Sequence, residues 1–354
     1  EISLGLVGSE MCIRDRDTPE KEEKILIPFI KRLLELPMKE RRKVIPTIGE
    51  LQYERGEGWM TCCDPARRRF LAAIEFISAN KREMTMAYEI DFELLCKLLQ
   101  LYRPTWLSDF INGDHSFYSF NLNYQELMQL VDLGYIKELS PKLLGQMVPW
   151  QIRIRSSNSK EEETFDSSPL LKREITLKEH IWYVFEYESN LGYLDDCAKR
   201  AYKEGITVQD ESFSAILYRF SLDGHLDRNR LLRATLSTFN RSFKKDMVNW
   251  FAGLFEELQP RAEELISLQE EIMQVFTSPY TKPVNVMLQQ LKKIASEGGF
   301  RYQEFIERAT TLFFSSPKNS LLTIYSIFEQ IVAGHPLSLI HISEPTRTRL
   351  ISYA

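Results

Sequence analysis

Nowhere in its 354 residues does the chain hold a long unbroken apolar run, so it contains no segment of the roughly 20 apolar residues a membrane-crossing helix needs. Cysteine is scarce, with five in the whole chain. There is no CxxC, no HExxH and no clustered His/Cys spacing, so neither a metal centre nor a disulfide framework is expected. Cys62 and Cys63 are adjacent, which makes a bridge between them sterically awkward. Beside Asp64 they read either as a vicinal redox pair or as two small residues entering a helix. Sparse cysteine suits a reducing, cytoplasmic setting. Also missing are a nucleophile elbow, a phosphate-cradling glycine loop and any carboxylate pair in a distinctive frame. His115, His180 and His225 stand apart in sequence, where a lone histidine near a helix end ordinarily serves a terminal carbonyl. No catalytic residue and no cofactor is expected, although triads are assembled from residues distant in sequence.

Strand alternation is almost absent too, and what fills the chain is helical periodicity. Ile25, Phe29, Ile30, Leu33 and Leu34 form one apolar stripe, closed by Pro37. Similar stripes run over Lys39 to Tyr53, Pro65 to Ser78, Ile90 to Tyr102, Tyr124 to Leu133 and Pro141 to Met147, each bounded by residues that suit caps and turns. Ser156 to Ser168 is polar apart from Phe165 and reads as a linker or long loop. It would separate an N-terminal helical lobe, 17–155, from a C-terminal repeat lobe, 169–336. The composition fits a mildly acidic folded chain, with 44% hydrophobic residues and a net charge of -5.

The two ends read differently. Leu337 to Arg347 can be written in codons whose reverse complement encodes Leu6 to Asp15, and the shared DNA element resembles a transposase adapter of sequencing libraries. Residues 1–16 and 337–354 are therefore expected to be translated adapter, and 17–336 a piece of a larger protein.

Within the C-terminal lobe the chain repeats itself. Gly224 to Leu258 aligns with Gly298 to Val332 at an offset of 74 residues, matching Leu226 with Phe300, Leu231 with Phe305, Leu232 with Ile306, Phe239 with Phe313, Met247 with Leu321 and Phe251 with Tyr325. The offset holds two helical hairpins, and the middle one shows in Phe276-Thr277-Ser278-Pro279, which recurs as Phe314-Ser315-Ser316-Pro317. In the stripe Met247, Val248, Phe251, Leu254, Phe255, Leu258, six apolar side chains favour burial by roughly 10 kcal/mol before entropy is counted. One hairpin cannot bury them, whereas stacked neighbours can. The expected fold is therefore all-α, a HEAT-like α-solenoid of hairpins in two lobes.

The stretch from Trp182 to Val332, with Gly224-x-Leu226-Asp227-Arg228-x-x-Leu231-Leu232, Trp250, Leu254 and Leu258-x-Pro260, resembles the bacterial family called domain of unknown function 6493. The resemblance implies a HEAT-like helical protein and carries no catalytic residues over. Asp227 and Arg228 are the conspicuous polar pair of that motif: Asp227 is placed as a helix N-cap, and together they are the candidate recognition point on the repeat edge. The function expected is a non-enzymatic scaffold binding another protein. A nucleic-acid-binding or base-excising helical repeat is the alternative, through Arg67, Arg68, Arg69, Arg241, Lys244 and Lys245, with Trp59 or Trp106 stacking on a base. That requires the cations to be uncompensated on one face, and neighbouring glutamates argue for solvated helix faces instead.

Deleting 1–16 and 337–354 together is expected to change stability by less than about 1 kcal/mol, a melting shift of a few degrees at most; a large loss in thermal denaturation would show that the ends are part of the fold.

Overall fold

The computed structural model describes residues 19–334 except 52, 56–59, 63, 114–119, 156–162 and 315–316. The chain is mostly helical, and it divides into two compact units, one ending at Leu143 and one beginning at Leu144. The boundary falls before the segment read as a linker.

In the first unit α1 (Pro19–Leu34) is followed by α2 (Met38–Arg41), a 3-10 turn (Arg42–Val44) and α3 (Ile45–Leu51). The sequence stripe from Lys39 to Tyr53 is thus broken, because Pro46 has no N–H to give to the carbonyl four residues back. Tyr53–Arg55 (β1) and Met60–Cys62 (β2) pair as a short antiparallel hairpin, so Cys62 lies in a strand and Cys63 lies outside the described residues. The centre of the unit is α4 (Pro65–Ser78), which begins where expected because Asp64 accepts from the Arg67 amide at 2.9 Å and Pro65 starts the first turn. From Phe70 to Ser78 this helix is buried all round. Phe29 of α1 meets Phe70 with ring centroids 5.3 Å apart. After α5 (Phe92–Leu101), α6 (Leu107–Ile111) and α7 (Tyr124–Asp132), the rings of Phe76, Trp106, Phe110 and Phe120 meet edge to face. Such pairing adds to the apolar burial.

The second unit opens within α8 (Pro141–Trp150). Gly145 lies so close to a 3-10 turn, His180–Phe185, that a Cβ there would stand 2.6 Å from the Tyr183 carbonyl oxygen. Arg153–Arg155 (β3) and Glu163–Phe165 (β4) then form an antiparallel pair. This corrects part of the linker reading. Phe165, the single apolar residue of that segment, is buried, and residues 156–162 lie outside the described ones. Asp166 accepts from the Ser168 amide at 3.0 Å, ahead of α9 (Ser168–Leu171) and α10 (Glu174–Lys178). Helices α11 (Leu191–Lys203) and α12 (Phe213–Leu222) follow, packed on one another.

Three helical hairpins complete the unit: α13 (Arg228–Ser237) with α14 (Lys245–Glu257), α15 (Ala262–Gln274) with α16 (Thr281–Ile294), and α17 (Tyr302–Ala309) with α18 (Lys318–Gly334). Each is joined through a 3-10 turn, at Thr238–Asn240, Val275–Thr277 and Thr310–Phe314. The first helices of hairpins one and two pack on each other, α13 on α15, while the second helices pack in series, α14 on α16 and α16 on α18. Gly224, at φ 79°, turns the chain out of α12 into this array, and Leu226 anchors the turn by donating its amide to the Phe220 carbonyl at 3.0 Å.

Phe251 is fully buried, with its ring 5.5 Å from Phe185, 6.2 Å from Phe243 and 5.0 Å from Trp250. Its repeat counterpart Tyr325 is 58% exposed. The two share a helical place but not an environment: Tyr325 meets the Phe313 ring edge to face at 6.0 Å and keeps more than half of its surface open.

Phe251→Ala is expected to cost about 3 to 5 kcal/mol in denaturant unfolding, against less than about 1 kcal/mol for Tyr325→Ala. Equal losses would contradict the burial difference. Gly145→Ala forces backbone apart and should cost about 1 to 3 kcal/mol, which the same titration reads.

Candidate functional site

The sequence-nominated pair opens α13. Asp227 is its N-cap, accepting from the Arg230 amide at 2.6 Å. Arg228 is drawn inward, its side chain 13% exposed. Its Nε donates to Glu264 Oε1 at 2.7 Å and its Nη2 to Glu264 Oε2 at 3.1 Å. Nη2 also donates to the carbonyls of Leu258 at 2.8 Å and Gln259 at 3.2 Å, and Nη1 to Ser221 Oγ at 3.2 Å. The guanidinium therefore sits at the carbonyl end of α14, where a cation opposes the helix dipole and satisfies terminal acceptors. Glu264 belongs to the first turn of α15 and also accepts from the Arg261 amide at 2.8 Å. Burial pushes the Glu264 carboxyl up, but the bonds from Arg228 and Arg261 outweigh it and hold its pKa below the usual range. Arg228 thus bolts the first hairpin to the second, a task that leaves little of it to face a partner. Other polar contacts repeat the theme between hairpins: Arg233 pairs with Glu271, Gln269 donates to the Gly299 carbonyl and accepts from the Arg301 amide, and Gln289 donates to Thr323.

The basic residues divide between the units. Arg67, Arg68 and Arg69 lie on α4 of the first, where Arg68 pairs with Glu89 at 3.3 Å and Arg69 with Asp91, the N-cap of α5. Arg241, Lys244 and Lys245 precede and open α14 in the second. The Lys244 amide donates to Glu188 at 2.7 Å and its Nζ lies 3.7 Å from the same carboxylate, while Arg241 and Lys245 are exposed. Carboxylates thus accompany Arg68, Arg69 and Lys244. Trp106 donates its indole N–H to the Ala79 carbonyl at 3.2 Å and packs among rings, while Trp59 and His115 lie outside the described residues. His180 stacks on Tyr183, with burial lowering its pKa, and His225 meets the edge of Phe220.

Sequence reasoning missed the buried carboxylates. Asp195 on α11 is 3% exposed, accepts from the Phe213 amide at 2.7 Å and from Trp250 Nε1 at 2.8 Å, and so ties α11, α12 and α14 together. Burial pushes its pKa up. Lys199 Nζ lies 3.4 Å from Ser214 Oγ and 4.0 Å from Asp195. A serine–lysine nucleophile needs an uncharged lysine and a reachable hydroxyl; here a carboxylate neighbours the amine and Ser214 is buried. In the first unit Glu75 on α4, 2% exposed, accepts from the amides of Thr85 at 3.0 Å and Met86 at 2.8 Å and from the Thr85 hydroxyl at 2.7 Å. These three bonds hold the loop after α4. An Asp at the apolar spacing Leu191, Leu194, Asp195, Ala198, and a Glu inside an otherwise apolar stretch of α4, were the legible signals.

Among the described residues no group of three or more His, Cys, Asp and Glu is placed to hold a metal ion, and no helix is long and apolar enough to cross a membrane.

The model of a domain of unknown function (DUF6493) matches residues 13–319. No curated protein and no solved structure matches the chain.

Asp227→Ala should cost about 1 kcal/mol, as for a lost cap, and Arg228→Ala about 2 to 4 kcal/mol, because it strands a half-buried carboxylate. A carboxyl lowered in the folded state contributes stability above its unfolded pKa and loses it as pH falls through the folded one. The stability gap between wild type and Arg228→Ala should therefore be widest above the usual carboxylate range and shrink on acidification. Urea unfolding as a function of pH checks this, and a gap that widens toward acid would refute the pairing.

Proposed function

The chain belongs to the DUF6493 family, and from that premise we propose that its three-hairpin array is a HEAT-like solenoid serving as a scaffold that binds another protein. The observation that carries this reading is the serial packing of α14, α16 and α18, joined by 3-10 turns that recur at the sequence repeat. Serial stacking extends a surface instead of closing a core, and such surfaces suit protein recognition.

Within the array the exposed polar residues of the first helices, Arg230 on α13, Glu263 and Glu270 on α15 and Glu307 on α17, carry mixed charge. A mixed edge suits a protein partner better than a phosphate backbone, which needs uncompensated cations. The nucleic-acid reading is the weaker one, because Arg68, Arg69 and Lys244 have carboxylate partners.

Chemical cross-linking of the tagged chain in its native cell, with the linked peptides mapped by mass spectrometry, tests the proposal. It predicts links from one partner protein concentrated on α13, α15 and α17, abolished by Glu263→Arg with Glu307→Arg in a chain that still melts as wild type. Recovery of nucleic acid in place of protein, or links scattered over both units, would count against it.

A further inference from the structure

We draw no further inference here: the strongest candidate, the cavity of about 160 Å³ lined by Ser278, Tyr280, Thr281, Pro317 and Ser320 where α16 and α18 begin, rests on helix N-termini alone, since none of the polar side chains lining it is both buried and without a partner to say what it would hold.

Discussion

Everything in the second unit depends on one constraint: a helix whose apolar face is too wide for a single neighbour must be covered from two sides. The α14 stripe, with Phe251 and Phe255 fully buried, is the clearest case. Its own hairpin partner α13 covers part of it; α11, α12 and α16 supply more. In the solenoid proposed above, a hairpin so built does not close on itself and passes the requirement to the next hairpin. The 3-10 turns and the tight exit at Gly224 are the geometry by which the chain keeps meeting that requirement.

Polar interactions then fix how the hairpins sit, which apolar burial by itself does not specify. Hydrophobic contact is non-directional, so neighbouring helices could slide. Arg228 on Glu264 and on the end of α14, and Gln269 on the turn before α17, remove that freedom with directional bonds. Asp195 does the same between α11, α12 and α14. The motif that seemed most exposed to recognition is in this sense part of the frame, while Asp227 caps a helix beside it.

Local signals were legible where a residue acts on its own neighbours. Asp64-Pro65 announced the start of α4, Asp227 announced its cap, and the recurrence of Phe239 as Phe313 and of Phe276 as Phe314 marked the hairpins. Readings failed where the deciding partner is distant. Phe165 is buried although its segment reads as solvent-facing, because Arg153–Arg155 pairs with its strand. Arg228 gave no sign of its ion pair, since Glu264 lies 36 residues away. Tyr325 aligned with Phe251, yet alignment reports the helical position and not what covers it. The candidate site was legible to the same degree: cap geometry could be read from the sequence, but which charges remain available could not.

The serial arrangement of α14, α16 and α18 is most directly tested by spin-label distances between exposed sites on them, Glu256, Lys293 and Ala333, taken in pairs by pulsed dipolar spectroscopy. Packed helices lie about 8 to 10 Å apart, so a serial stack predicts an α14–α18 axis separation of about 20 Å, close to twice that of α14–α16. Equal distances among all three helices would mean a closed bundle and contradict the stack.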